Sequence, residues 1–298
     1  MPNNPRNADQ EYLQGPRIPG ALRFNLDKVA EHDPAKNPLG LTHMLPSAET
    51  FREAVETLGI TPDTHVVVYD TVGVFSAPRG VFTFKALGHD KVSALNGGLP
   101  RWIEEGYDVD EEELSKDPVA AKRSSYPVPK RHDDYVRSYE QMVDNSTADP
   151  ALADVVLDAR AIPRYAGEAP EPRPGLPSGH IPNSLPLPFN DLLTEPSETE
   201  PYTRYRSPQE LSQIIIDGVG GKTVWDEIAL DGRGLVFSCG SGMTACVGWL
   251  AARAVAEGEN QMLAHEAVYD ESWSGYAQRK ESKIEKGHGN KDAVRKQK

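Results

Sequence analysis

Cysteine is scarce in this chain: its 298 residues include only Cys239 and Cys246. Two thiols cannot build a disulfide framework, and they argue for a reducing compartment. The same count excludes a zinc site made of cysteines. Positive charge is also in short supply, with 32 Lys and Arg against 45 Asp and Glu, for a formal net charge of −13. A chain this acidic repels a phosphate backbone unless it carries a local basic patch, so no nucleic-acid partner is expected. Long apolar runs are missing too. Thr64–Tyr69 and Gly234–Phe237 fall far short of the ~20 residues of a membrane-crossing helix, so no membrane partner is expected. Nor does the start show an amphipathic, Arg- and Ser-rich presequence. What is present, 38% hydrophobic and 26% charged residues, is a globular composition of a length that suits two domains.

Short apolar runs alternate with helical patterns. Thr64–Asp70, Lys91–Leu95, Asp154–Asp158, Gly234–Ser238 and Glu266–Tyr269 read as buried strands, and Ala77–Leu87, Pro100–Glu105 and Met243–Ala256 as helices. That alternation predicts an α/β fold with parallel sheets flanked by helices. Glu111–Asp134 is charged, contains proline and lacks periodicity, so it reads as surface connection. Pro170–Pro177 is too rich in proline for a helix or an inner strand, so it predicts a loop. The tail from Arg279 to Lys298 carries eight Lys/Arg against three Asp/Glu, and predicts a solvated, frayed terminus.

The chain also repeats itself. Ile18–Asn25 resembles Ile181–Asn190, Asp70 falls where Cys239 falls, and Trp102 matches Trp273. The spacings (18 to 181, 70 to 239, 102 to 273) are 163, 169 and 171 residues, as one duplicated unit with loop changes would give. On that register the strand at Val155–Asp158 has no counterpart. The expectation is therefore a first domain without its first strand, an unpaired sheet edge, and Met1 as an internal methionine. The predicted domains are 1–120 and 133–298, joined by a linker at 121–132.

Chemistry concentrates at Cys239-Gly240-Ser241-Gly242-Met243-Thr244, between a strand and a helix. The glycines let the backbone curl closely around the sulfur, and N–H groups of such a nest, with the positive end of the following helix, stabilise a thiolate. A buried structural cysteine remains the alternative. A phosphate-binding loop is disfavoured because no Lys-Ser/Thr pair follows the glycines. A cysteine phosphatase spacing fails because position 245 is Ala. Cys246, inside the helix, reads as a packed small hydrophobe, and Trp102, Trp249 and Trp273 as core aromatics.

The motifs CGSGMTAC (239–246), SAPRGVFTFKALGH (76–89), SALNGGLPRW (93–102), DARAIPRYAGEAPEPRPGLPSGHIP (158–182) and HMLP (43–46) resemble those of the tandem-domain rhodaneses, and among them the 3-mercaptopyruvate sulfurtransferases. The resemblance implies two rhodanese domains, the first catalytically silent with Asp70 in the cysteine position, the second carrying Cys239. It implies a mercaptopyruvate donor, since the loop positions that are basic in thiosulfate-using relatives are Gly240 and Ser241 here, with thiosulfate as a weak second donor. Arg164 and Arg173 would bind the substrate's carboxylate and keto oxygens, as bidentate guanidinium groups can, with Gly240, Gly242, Met243 and Thr244 forming the cradle. Arg160 ranks below them as a structural ion-pair partner. Ser241, His43 and Asp27 would form a Ser-His-Asp relay. Glu271 departs from a glycine common in the family. The implied chemistry is transfer of sulfur through a Cys239 persulfide to thioredoxin, a small thiol, another sulfur carrier or cyanide, with pyruvate released and no metal or cofactor. Mitochondrion and cytosol are both expected compartments. Thiosulfate sulfurtransfer, protein-to-protein sulfur relay toward tRNA thiolation, and an inactive structural protein are the alternatives.

Overall fold

A computed structural model describes residues 6–115, 122–291, 293 and 294. The chain divides into two compact units. Unit 1 comprises residues 1–31, 45–131 and 195–204, and unit 2 comprises 32–44, 132–194 and 205–298. Two excursions thus interrupt the sequence order: residues 32–44 pack with the second unit, and residues 195–204 with the first. Part of the segment read as surface connection, 116–121, lies outside the described residues.

Unit 1 contains α1 (Ala8–Gln14), α2 (Leu26–Val29), α3 (Ala48–Thr57), β1 (Val66–Val68), α4 (Ala77–Ala86), β2 (Val92–Ala94) and α5 (Gly98–Glu104). Its strands pair in parallel, Val66 opposite Val92 and Val68 opposite Ala94. Among the described residues no other strand joins them. α4 is almost entirely buried and packs Val81, Phe82 and Phe84 into the core, where the ring of Phe84 meets Phe24 and Phe51.

Unit 2 contains β3 (Val136–Arg137), α6 (Tyr139–Thr147), β4 (Val155–Asp158), α7 (Ile162–Ala166), β5 (Ser184–Pro186), α8 (Pro208–Gly218), α9 (Lys222–Ala229), β6 (Leu235–Ser238), α10 (Ala245–Gly258), β7 (Glu266–Tyr269) and α11 (Ser272–Tyr276). Its five strands are parallel in the order β3-β7-β6-β4-β5. β4, β6 and β7 are buried throughout, which explains their unbroken apolar runs: each is covered on both faces. α6 and α8 start at capping boxes, Ser138 with Gln141 and Ser207 with Glu210. One face of the sheet packs Val156 and Val236 against Tyr139, Met142, Trp273 and Tyr276.

The duplication is visible in the folded chain. β1, α4 and β2 of unit 1 follow one another as β6, α10 and β7 do in unit 2. Isolated antiparallel bridges join Arg17 to Asp110 in the one and His180 to Glu285 in the other. Among the described residues β1 has a strand partner on one side, β2, and its outer face is open to solvent. Val67 is 53% exposed, whereas Val236, its counterpart at the same 169-residue spacing as Asp70 and Cys239, is 1% exposed.

Two expectations are corrected. The charged tail is not frayed over its described length. Glu285 pairs its backbone with His180, Gly287 N–H donates to the Ala166 carbonyl, and Tyr276 Oη donates to the Lys283 carbonyl. Val294 is 3% exposed, and its carbonyl accepts from Arg233. Backbone bonding and one apolar anchor hold a segment whose side chains are mostly solvated. Trp102 is not a core aromatic: it is only half-buried, tilts against exposed Tyr107 and donates its indole N–H to the Asp108 carbonyl. Trp249 and Trp273 are buried.

Among the described residues no helix is long and apolar enough to cross a membrane.

Candidate active site

From β4 the chain continues to β5 on one side of the sheet, and from β6 to β7 on the other. Such a reversal opens a crevice beyond the carboxyl ends of the two central strands, the usual ligand position in an open parallel sheet. Cys239 follows directly on β6, and Asp158, Arg160 and Arg164 lie at or just after the end of β4. The candidate residues therefore converge for a topological reason.

Cys239 is fully buried. Its loop runs into the N-terminus of α10, a 14-residue helix. Gly242 adopts φ +75°, the left-handed region that suits glycine at the turn. The loop is fastened to α11: Trp273 N–H donates to the Cys239 carbonyl and Ser274 N–H to the Gly240 carbonyl, both at 3.0 Å. Ser272 lies at the centre of the curl. Its Oγ accepts the N–H groups of Cys239 (3.1 Å) and Gly242 (3.0 Å), donates to the Tyr269 carbonyl (2.8 Å), and stands 3.9 Å from Cys239 Sγ. Ser272 holds φ +50°, a strained value for a residue with a side chain. Sequence reasoning missed it, because a serine after a short strand carries no signal until the loop closes around it. Cys246 is buried in α10 and donates Sγ–H to the Gly242 carbonyl, as a packed thiol does.

Arg164 projects from the last turn of α7, and Arg173 from the proline-rich loop. A Cβ at position 240 would stand 3.3 Å from Arg164 Nη2 and 3.5 Å from Arg173 Nη1. Both guanidinium groups thus aim at the second position of the cysteine loop, and glycine there leaves them room. Arg160 is buried, paired with Asp158 and Glu171, and lies over the Trp273 ring at 4.3 Å. Burial disfavours the Arg160 cation, but Asp158 and Glu171 together outweigh it and raise its pKa.

His43 enters on the segment 32–44. Asp33 and Asn37 wind that segment into turns, with Asn37 bonding both the N–H and the carbonyl of Leu41. Its Nδ1 is hydrogen-bonded to Ser241 Oγ at 3.0 Å. Asp27 belongs to unit 1, in the first turn of α2 beneath its Asn25 cap. Met243 and Thr244 are half-buried and complete the loop. Glu271 precedes α11 directly and forms an ion pair with Arg279. Among the described residues, no cluster of three or more His, Cys, Asp or Glu could hold a metal ion.

Comparison with known proteins points to a family. The "Rhodanese-like domain" family matches residues 6–105. The chain is 36% identical over 280 residues to the "Probable 3-mercaptopyruvate sulfurtransferase" of Schizosaccharomyces pombe, covering 94% of this chain and 84% of that protein. It is 34% identical over 300 residues to "Thiosulfate/3-mercaptopyruvate sulfurtransferase 1, mitochondrial" of Arabidopsis thaliana, covering 96% and 71%. The crystal structure of the 3-mercaptopyruvate sulfurtransferase SseA from Escherichia coli superposes with a TM-score of 0.68 at 29% identity, covering 91% of this chain and 88% of that one. A buried cysteine cradled between strand and helix, two arginines aimed at its loop and relatives matched over nearly the whole length converge on one conclusion: the chain belongs to the 3-mercaptopyruvate sulfurtransferase family of rhodaneses.

Proposed function

We propose that the protein transfers the sulfur of 3-mercaptopyruvate to a thiol acceptor through a persulfide on Cys239. The observation that carries this reading is the convergence of Arg164 and Arg173 over Gly240, one residue from the nucleophile. A carboxylate and keto oxygen held there place the substrate sulfur beside Cys239 Sγ. The cysteine thiolate attacks that sulfur, the substrate's carbon–sulfur bond breaks, and its electron pair leaves on carbon as the enolate of pyruvate. A proton then completes pyruvate, and the enzyme keeps the outer sulfur as a persulfide. Ser241, hydrogen-bonded to His43, is the proton-carrying pair nearest this step. In the second half an acceptor thiolate attacks the outer sulfur, becomes a persulfide itself and restores the Cys239 thiolate. Thioredoxin and small thiols fit that role, and cyanide serves as a test acceptor. The mitochondrion and the cytosol, both reducing, are the compartments this chemistry suits.

Intact-mass measurement after mixing with 3-mercaptopyruvate tests the proposal. A gain of one sulfur atom (about 32 Da) on Cys239, with pyruvate released in equal amount, is expected. No gain, or an unchanged gain in Cys239→Ser, overturns it. Thiosulfate in place of mercaptopyruvate is expected to load the same cysteine more slowly.

A further inference from the structure

Among the described residues Glu171 is the acidic side chain that joins buried Arg160 to Arg164, which faces the loop, and it is 2% exposed. Oε1 accepts Arg160 Nη1 at 2.8 Å and Arg164 Nε at 3.2 Å, while Oε2 accepts Arg164 Nη2 at 2.5 Å. Arg160 is in turn clamped by Asp158 and by the Gly179 carbonyl. Glu171 thus grips the Nε–Nη2 edge of Arg164, and that same Nη2 stands 3.3 Å from where a Cβ at position 240 would lie. Among the described residues Arg173 forms no ion pair with a carboxylate. Three guanidinium charges against the carboxylates of Asp158 and Glu171 leave one formal positive charge among these five groups, which the attacking Cys239 thiolate offsets. The neighbouring Glu271–Arg279 pair adds none.

We propose that Glu171 is a positioning and specificity-determining residue: it orients Arg164 and sets the site's charge to suit a singly charged donor over a doubly charged one. The inference rests on the sulfurtransferase reading above and deepens it. A monoanionic carboxylate substrate is held by the Arg164 and Arg173 guanidinium groups, whereas thiosulfate brings a second negative charge that the Glu171 carboxylate, held on Arg164, repels. The two roles separate by substitution. Glu171→Gln keeps an oxygen acceptor for Arg164 but removes the charge. Glu171→Asp keeps the charge but draws it back from the guanidinium.

The experiment measures kcat and KM of the full-length enzyme and both variants with 3-mercaptopyruvate and with thiosulfate, at fixed ionic strength. Glu171→Gln is expected to shift the ratio of the two kcat/KM values toward thiosulfate by ~10-fold or more. Glu171→Asp is expected to raise KM for mercaptopyruvate while leaving the donor ratio within about twofold. An unmoved ratio in Glu171→Gln overturns the charge assignment, and an unmoved KM in Glu171→Asp overturns the positioning. Should both variants fail to fold, competitive inhibition of the unmodified enzyme decides the matter. Pyruvate must then compete more strongly than sulfate, and the opposite order overturns the proposal. If the unmodified enzyme gains no sulfur on Cys239 from either donor, it is the sulfurtransferase reading that fails, independently of Glu171.

Discussion

The loops after β1 and β6 occupy equivalent places in the two units but hold different groups. In unit 2 the strand is followed by Cys239, whose loop leads into α10. In unit 1 the strand is followed by Asp70, whose carboxylate turns into its own loop. Oδ2 accepts the N–H groups of Phe75 (2.7 Å), Ser76 (2.9 Å) and Ala77 (2.7 Å), and Oδ1 accepts the Ser76 hydroxyl. Those amides lie at the start of α4, where a helix favours negative charge. Burial raises the pKa of the Asp70 carboxyl above its ordinary value, although Ser76 and the three amides pull against that shift. The first loop therefore satisfies its donors with an anion built into the chain. The second surrounds a sulfur that can exchange its outer atom with a substrate. One strand–loop–helix frame serves structure in one copy and chemistry in the other.

Exchanging the groups at the two positions tests that division, and the largest effect belongs to it. Cys239→Ser is expected to lower sulfur transfer by ~10³-fold or more, with little change in folding stability. Asp70→Ala is expected to do the reverse. It strands three amide donors in a buried site and costs about 2–4 kcal/mol in denaturant unfolding, while activity of the folded enzyme changes less than about twofold. Asp70→Cys, examined by mass after mercaptopyruvate, is expected to gain no sulfur at position 70, because among the described contacts one guanidinium, that of Arg6, meets residue 71 at the Thr71 hydroxyl, whereas Arg164 and Arg173 both face residue 240. Sulfur loading there would show that the loop alone confers reactivity and would end the comparison.

The next effect concerns the serines that fasten each loop. Ser76 reaches Asp70 from within its own loop, while Ser272 reaches the Cys239 loop from a separate helix. Ser272→Ala leaves the Cys239 and Gly242 amides without their acceptor, at about 1–3 kcal/mol for each unsatisfied group. It is expected to cut the rate of persulfide formation by ~10-fold or more, because the loop no longer holds its curl. Ser76→Ala removes one of four donors to a carboxylate and is expected to cost about 1 kcal/mol in stability, with unchanged turnover. Equal effects of the two substitutions on turnover would break the distinction.

The sequence disclosed what depends on residue type along a line, and little of what depends on burial by distant segments. β4, β6 and β7 were legible because a strand covered on both faces must be apolar at every position, and Glu266–Tyr269 was placed to the residue. The cysteine loop was legible because strand, glycine-bearing turn and helix follow directly on one another. Trp102 was misread because an aromatic's type does not reveal whether anything covers its second face. The tail was misread because its anchors are backbone groups, which composition does not register. Glu171 and Ser272 escaped notice for a related reason. Each acts through partners that only the closed fold supplies, and an acidic residue between prolines or a serine after a strand is unremarkable by itself.

The smallest expected effect returns to the two units through a buried histidine in each. His89 in unit 1 and His180 in unit 2 are each 2% exposed. In His89, Nε2 donates to the Thr64 carbonyl at 3.0 Å, so Nδ1 is left to accept the Tyr126 hydroxyl at 2.8 Å, an arrangement that uses the neutral ring. His180 stacks on Tyr165 at 3.9 Å between centroids and donates Nδ1–H to the Tyr165 carbonyl. Desolvation lowers the pKa of both below the usual histidine value. The folded protein then binds fewer protons than the unfolded chain as pH falls through about 6.5. Stability is therefore level above that pH and declines below it, until the folded-state histidines themselves titrate. Glu285, whose carboxylate lies 3.9 Å from His180 Nε2, favours the His180 cation and makes the decline shallower in unit 2. Hydrogen exchange followed segment by segment between pH 7.5 and 5.5 resolves the units, with α4 reporting on one and α10 on the other. His89→Gln is expected to flatten the acid-side loss of protection in α4 alone, and Glu285→Gln to steepen it in α10 alone. Parallel slopes in both units, unmoved by either change, would mean that these histidines do not set the pH response.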